Sequence, residues 1–145
     1  MLRAARVLSP RFYRSGGLSQ VCVPLEASKY FSTGASRVVE VTSDDNYQKQ
    51  IKSANDSGSL AVVDFSAKWC GPCKVIAPVY AQLSTLYPQA RFLKVDIDEP
   101  ALERTVMENG IASVPTFVFI KDGEEKAKFS GADVAKLKES LDSYA

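Results

Sequence analysis

The sequence predicts one α/β domain, in which helices cover both faces of a central mixed β-sheet. From about residue 36 onward, segments of strand character alternate with segments of helical spacing, without repeats. One pair of strand-like segments is separated only by Asp122-Gly123, which is typical of a tight hairpin and makes those strands antiparallel. About 110 residues of ordinary composition, 46% apolar and 24% charged, suffice for one core.

The first predicted strand covers residues 37–42, and a helix follows it. Ser43 or Thr42 can cap that helix, because a side-chain oxygen there satisfies a free backbone N–H. Tyr47 and Ile51 lie one helical turn apart and predict its buried face.

The second predicted strand, residues 60–65, is rich in β-branched and aromatic residues and reads as buried. The segment that follows repeats apolar residues at helical spacing: Val75, Ile76, Val79, Leu83 and Leu86. Pro78 lies inside this helix and should kink it.

A third strand is predicted over residues 91–97. Glu99-Pro100 begins the next helix, since proline is tolerated at a helix start, and Gly110 ends it. Residues 116–120 and 124–129 form the hairpin strands on either side of Asp122-Gly123. The chain finishes on a helix with three apolar positions: Val134, Leu137 and Leu141.

Two cysteines flank Gly71-Pro72 where the buried strand gives way to the long helix. Free N–H groups and the positive end of the helix dipole favour a thiolate at Cys70. Cys73, one turn further in, should be more buried and keep its proton, which suits a resolving thiol. The spacing therefore predicts a reversible disulfide, with attack by Cys70 and resolution by Cys73.

Two alternatives for the pair are a zinc half-site and inert structural cysteines. A structural zinc site needs four N or S ligands, and the chain has no histidine and only one other cysteine, Cys22. Zinc within one chain is therefore disfavoured, while a cluster that bridges two chains stays open. Inert cysteines rarely flank Gly-Pro at a strand-to-helix junction, which favours redox chemistry.

The chain resembles thioredoxin, and in particular the mitochondrial thioredoxins, over residues 37–145. Several separated motifs in the same order carry the resemblance: Val63-Asp64-Phe65, Trp69-Cys70-Gly71-Pro72-Cys73-Lys74, Ala77-Pro78, Lys94-Val95-Asp96-Ile97-Asp98, Val114-Pro115-Thr116 and Gly131-Ala132. The resemblance implies the thioredoxin fold and a protein thiol–disulfide oxidoreductase that reduces disulfides in protein substrates. A non-catalytic binding module and a dimer-bridging iron–sulfur carrier are the competing hypotheses.

Asp64 interrupts a run that should be buried, where a lone carboxylate is costly unless it is protonated or paired. The resemblance implies that it accepts the proton of Cys73, and that Lys94 packs nearby and tunes its ionisation. It also implies a cis Val114-Pro115 bond against the cysteine pair. An apolar patch for partner proteins would surround the pair: Trp69, Gly71, Pro72, Ile97, Val114, Pro115, Gly131 and Ala132.

Two positions depart from the family pattern. Ser66 stands where many thioredoxins have a second tryptophan, and Lys68 where an acid is common. Both changes predict different packing and local charge beneath the site, and neither changes the chemistry.

Residues 1–35 differ in kind from the remainder, with five basic residues against one acid. Arg3, Arg6, Arg11 and Arg14 begin near the start, and a short amphipathic helix fits a mitochondrial transit peptide that leads to the matrix. A chloroplast signal, or a plain tail on a cytosolic protein, is the alternative. Cleavage near residue 31 would remove Cys22.

The partners follow from the same resemblance. The chain has no glycine-rich nucleotide fingerprint, so no bound cofactor is expected, and a separate NADPH-dependent thioredoxin reductase would restore the dithiol. We expect a monomer that contacts disulfide-containing proteins, with no nucleic acid and no stable membrane association.

Overall fold

The computed structural model describes residues 35–145. The predicted leader therefore lies outside the described residues, apart from its last residue, Ala35, and so does Cys22. A five-stranded sheet and four α-helices make up the described chain: β1 Val38–Glu40, α1 Asp44–Asp56, β2 Ala61–Ser66, α2 Gly71–Leu86, β3 Arg91–Asp96, α3 Glu103–Glu108, β4 Thr116–Lys121, β5 Glu124–Ser130 and α4 Val134–Tyr144.

The strand order in the sheet is β1-β3-β2-β4-β5. The first three of these strands run parallel, and β4 and β5 are antiparallel to their neighbours. The predicted mixed sheet with a terminal hairpin is therefore confirmed. At the hairpin, Asp122 and Gly123 both have positive φ, 55° and 76°, which is the backbone conformation that a two-residue turn requires.

Local signals place the helix ends close to the prediction. Ser43, not Thr42, caps α1, and its hydroxyl accepts a hydrogen bond from the Asn46 N–H at 3.1 Å. Before α3 the chain first makes one turn of 3₁₀ helix, Pro100–Leu102. Gly110 follows α3 with φ +57°, so a left-handed residue ends that helix as predicted.

The two faces of the sheet carry separate cores. Helices α2 and α4 pack on one face through residues such as Ile76, Tyr80 and Leu137, together with the strand residues Val62 and Phe92. The Tyr80 hydroxyl lies 2.9 Å from the Val62 carbonyl oxygen and 2.8 Å from that of Leu93, so it ties α2 to both central strands. We call this the α2 face.

The opposite face packs against α1 and the helical segment 100–108. Its core includes Tyr47, Val63, Leu93, Leu102 and Val118. We call this the α1 face. Both faces of the sheet carry apolar side chains, and each face therefore needs a layer of helices to cover it.

Three apolar helix positions predicted to face the core are instead exposed: Val75, Leu86 and Val134. Val134 and Leu86 are the first and last residues of their helices, where the packing on the sheet ends. Val75 lies between buried Cys73 and Ile76 and is on the outer side of α2. Within residues 35–145, the structure contains no helix with the length and hydropathy of a membrane span.

Candidate active site

The cysteine pair lies at the start of α2, immediately after β2 and a short loop. Cys70 is the N-cap residue of α2, and a disulfide joins it to Cys73 across a Cα–Cα distance of 5.3 Å. The Cys70 sulfur accepts a hydrogen bond from the Cys73 backbone N–H at 3.2 Å. A free N–H of the first helical turn therefore points at the Cys70 sulfur, where it would stabilise a thiolate.

The expected difference in burial between the two cysteines is wrong for this oxidised form. Cys70 is 3% exposed and Cys73 is 5% exposed, so the two residues are equally covered. The disulfide draws both sulfurs together, and Ala67, Ile97 and Val114 pack around the pair. The helix-end position of Cys70, rather than its exposure, is what distinguishes the two cysteines here.

Asp64 lies in the middle of β2 and is 2% exposed. Burial raises the pKa of this carboxyl to about 7, and the positive charge of Lys94 partly offsets that effect. Within the described chain, its Oδ1 atom has no hydrogen-bond partner from the protein. Asp64 is thus a buried carboxyl that titrates near neutral pH.

Lys94 occupies the position of β3 directly beside Asp64, in the register of the two parallel strands. Aligned residues of neighbouring strands point to the same face, so both side chains belong to the α2 face. The ion pair that Lys94 makes is with Glu40, at 3.6 Å from Nζ to Oε1. Lys94 therefore lies near Asp64, as the resemblance implies. Its ammonium, however, pairs with Glu40 on the neighbouring strand β1.

A cavity of about 520 Å³ connects this buried carboxyl to the protein surface. Asp64, Ser66 and Cys73 line its floor, with charged side chains around them. Cys73 and Asp64 both line this cavity, so the two residues border the same open space.

The predicted contact patch is distributed over four connecting segments at the same end of the sheet. Trp69 is 68% exposed, and its indole N–H donates a hydrogen bond to Asp98 Oδ2 at 2.7 Å. The Val114-Pro115 peptide bond is cis, as the resemblance implies. The Gly131 N–H donates to the Pro115 carbonyl oxygen at 2.8 Å, at a backbone φ of +101°.

The other patch positions are consistent with a contact surface. Gly71, Pro72 and Ala132 are exposed, and Ile97, Val114 and Gly131 are half-buried. Val75, in the second turn of α2, is also exposed and adds apolar surface that the helical pattern assigned to the core. Its position next to the charged Lys74, on the helix that carries the cysteines, is the sequence feature that could have indicated its exposure.

The two departures from the family pattern have different outcomes. Ser66 is buried and lines the cavity, so a small side chain leaves open space where a large one would fill it. Lys68 is almost fully exposed and lies 3.7 Å from Asp96. An exposed pair of this kind contributes little to stability.

Sequence reasoning missed Glu40 and Asp98. The sequence places Asp98 in a family motif and Glu40 in the first predicted strand, and neither position indicates a role at the site. The partnership of Glu40 with Lys94 depends on the register between two strands that are distant in sequence. A local sequence pattern does not determine the register between two such strands.

Comparisons with known proteins agree with this geometry. The family model described as Thioredoxin matches residues 38–143. Thioredoxin H4-1 of Oryza sativa subsp. japonica is 41% identical over 105 residues, which are 72% of this chain and 79% of that protein. A protein named "Thioredoxin O1, mitochondrial" from Arabidopsis thaliana is 40% identical over 109 residues, 75% of this chain and 56% of that protein.

Solved structures include close matches to the same part of the chain. The crystal structure of thioredoxin NaTrxh from Nicotiana alata superposes with a TM-score of 0.72 at 35% identity. The match covers 78% of this chain and 96% of that one.

Proposed function

The chain belongs to the thioredoxin family, and on that premise we propose a role for each residue of its redox site. The protein is a thiol–disulfide oxidoreductase that reduces disulfides in protein substrates through a reversible Cys70–Cys73 dithiol/disulfide. One observation carries the division of roles: a buried carboxyl that titrates near pH 7 shares a cavity with Cys73, while Cys70 caps the helix.

In the first step, the Cys70 thiolate attacks one sulfur of a substrate disulfide. The substrate S–S bond breaks, a mixed disulfide forms through Cys70, and the released substrate thiolate takes a proton from solvent. Cys70 suits this step because the Cys73 N–H and the helix dipole stabilise negative charge on its sulfur.

In the second step, Cys73 gives its proton to the Asp64 carboxylate and attacks the Cys70 sulfur. The mixed disulfide breaks, the second substrate thiolate leaves and is protonated, and two electrons have passed to the substrate. Asp64 suits this step because its pKa of about 7 leaves a large ionised fraction at neutral pH. Lys94 tunes the Asp64 pKa through its positive charge.

The substrate strand would dock on the patch around Trp69 and the cis Val114-Pro115 bond. Exposed apolar surface beside a reactive disulfide is the usual mark of a protein-binding site. Gly71 and Pro72 are exposed at the start of α2 and belong to this patch, and Ile97, Gly131 and Ala132 complete it.

The test of this assignment is disulfide trapping with single cysteine variants. Cys73→Ser should accumulate a stable mixed disulfide through Cys70 with an oxidised protein substrate, detected by mass spectrometry. Cys70→Ser should form none. Trapping through Cys73 instead would reverse the assignment.

The same variants separate the reductase from a binding module. With a double Cys70→Ser, Cys73→Ser variant, insulin should be reduced no faster than by dithiothreitol alone. The variant should still bind protein substrates weakly through the Trp69 patch. A biological function that survives in the double variant would instead identify a binding module.

We assign the regeneration of the dithiol to a separate NADPH-dependent thioredoxin reductase, as is general for the family. The carrier should act as a monomer, because the residues of the proposed mechanism all come from one chain. Turnover of NADPH with added reductase, and the mass measured by light scattering, test these two points. A loss of activity on dilution would contradict the monomer.

We also propose that residues 1–35 are a mitochondrial transit peptide and residues 36–145 the mature domain. The arginine-rich composition supports this, and so does similarity to a relative named as mitochondrial. A fusion of these residues to a fluorescent protein should reach the matrix and be cleaved. Replacing Arg3, Arg6, Arg11 and Arg14 by glutamine should abolish delivery. Plastid or cytosolic fluorescence from the intact fusion would overturn this address.

A further inference from the structure

Glu40, Lys94 and Asp64 form one row across three adjacent parallel strands. Glu40 aligns with Lys94 between β1 and β3, and Lys94 aligns with Asp64 between β3 and β2. All three side chains line the same cavity. A single cation thus lies between two carboxylates, of which the outer one is exposed and the inner one is buried.

In the structure, the lysine pairs with the outer carboxylate. Its Nζ atom lies 3.6 Å from Glu40 Oε1, and within residues 35–145 no ion pair of 4.0 Å or less joins it to Asp64. Lysine has a long and flexible side chain, so its ammonium can lie on either side of its own strand. The position of the ammonium therefore depends on which carboxylate holds it.

We propose that Glu40 is a positioning residue for the redox site: it holds the Lys94 ammonium on the β1 side, away from Asp64, and thereby keeps the Asp64 carboxylate a strong enough base to accept the Cys73 proton. Glu40 acts through Lys94 and does not touch the reacting sulfurs. The inference rests on the proposed role of Asp64 as base.

A direct effect of Glu40 on Asp64 is too weak to replace the effect through Lys94. The two residues lie two strands apart, about 9 to 10 Å at ordinary strand spacing. That separation is close to the Debye length in physiological salt, and Glu40 is exposed to solvent. Most of its influence on Asp64 must therefore pass through the position of Lys94.

Other groups face Asp64 from the elements packed against it. Helix α2 contributes Cys73, Lys74 and the Tyr80 hydroxyl. The loop after β2 contributes Lys68, and the end of β3 with its following loop contributes Asp96 and Glu99. Lys68 is paired with Asp96, which leaves Glu99 as an exposed acid at the same cavity. Glu99 is therefore a matched control for Glu40.

The test is an NMR titration of the Asp64 carboxyl carbon in the oxidised, full-length protein. Glu40→Gln frees Lys94 to approach Asp64, so the Asp64 pKa should fall by roughly half a unit. Glu99→Gln removes the same charge from the same cavity without releasing Lys94. It should move the Asp64 pKa by less than a third as much.

The Lys94→Gln background identifies the route of the effect. There, Glu40→Gln should leave the Asp64 pKa nearly unchanged, because the residue it positions is gone. An equal fall in both backgrounds, an equal fall with Glu99→Gln, or no fall at all would each overturn the proposal.

A rate measurement separates this proposal from the role of Asp64 itself. Stopped-flow resolution of the Cys70 mixed disulfide should shift its pH profile toward acid in Glu40→Gln, in step with the titration. If the carboxyl titration shifts and the rate profile does not, Glu40 still positions Lys94, and the assignment of Asp64 as base fails. At pH 4, where the folded-state Asp64 carboxyl is protonated in both proteins, denaturant unfolding of Glu40→Gln should match wild type, since Glu40 is exposed. At pH 8 the lowered Asp64 pKa should make the variant slightly more stable.

Discussion

Two neighbouring rows of the sheet, one residue apart in sequence, have opposite character. The row on the α1 face is apolar across four strands and runs Val39, Leu93, Val63, Val118. The row on the α2 face is charged across three strands and runs Glu40, Lys94, Asp64, Phe117. In the apolar row, Leu93, Val63 and Val118 are fully buried. In the charged row, Asp64 is also buried, with 2% of its surface exposed.

The difference shows where this fold departs from the rule that buried residues are apolar. One step earlier on the α2 face, the row again consists of apolar and aromatic side chains: Val38, Phe92, Val62 and Phe119. The charged row lies beside the cavity and beneath Cys73. We infer that the apolar row supplies stability and that the charged row gives up stability to hold a titrating group at the disulfide.

The largest effect on stability is expected in the apolar row. Leu93→Ala removes a fully buried side chain and should lower the free energy of unfolding by about 2 to 5 kcal/mol. The loss should be the same at pH 5 and pH 8, because no titrating group is removed. Urea unfolding at the two pH values measures it, and a strongly pH-dependent loss would break the division between the rows.

A smaller effect is expected from Lys94→Gln in the charged row. Without the positive charge, the Asp64 pKa should rise above about 7, by roughly half a unit, because desolvation is then less opposed. The pH profile of mixed-disulfide resolution should move to higher pH by the same amount. Stopped-flow rates between pH 6 and pH 9 test this, and a shift toward acid would show that Lys94 does not act on Asp64 as a charge.

The smallest effect is expected at the exposed end of the same face. Lys68→Met breaks the pair with Asp96, whose lysine is 93% exposed, and should change the free energy of unfolding by less than about 0.5 kcal/mol. A larger loss in thermal unfolding would mean that surface ion pairs hold this end of the sheet together.

Local features of this molecule were predictable, and long-range register was not. The Ser43 cap, the Asp122-Gly123 turn and the buried strand around Asp64 each depend on neighbours in sequence. The pairing of Glu40 with Lys94 depends on two parallel strands joined through other elements. No turn fixes that alignment, so the sequence could indicate a charged strand end but not its partner.

The errors at Val75 and Cys70 have related causes. Helical spacing identifies a stripe, but packing on the sheet determines its width. Cys73 and Ile76 are buried on either side of Val75 in sequence, while Val75 itself lies on the exposed side of α2. The position of Cys70 at a helix start predicts a stabilised thiolate, whereas its burial depends on packing by Ile97 and Val114 from distant loops.

The pH dependence of stability follows from the raised pKa of Asp64. The folded-state pKa of about 7 lies above the usual value of 3.8, so the carboxyl is protonated in both states at low pH and imposes no penalty there. As pH rises from about 4 to about 7, the unfolded state loses the Asp64 proton before the folded state does, and the free energy of unfolding declines until the pH passes the folded-state pKa. At pH 8 the penalty should amount to a few kcal/mol.

The most direct test of the account compares wild type with Asp64→Asn in two assays on the same protein. Denaturant unfolding of the oxidised form should show the variant more stable by about 1 to 3 kcal/mol at pH 8, with the difference vanishing near pH 4. Single-turnover resolution by Cys73 should slow by at least about 10-fold at pH 7. A variant that is less stable at pH 8 and resolves the mixed disulfide at the wild-type rate would contradict the claim that this carboxyl is kept for chemistry at the expense of stability.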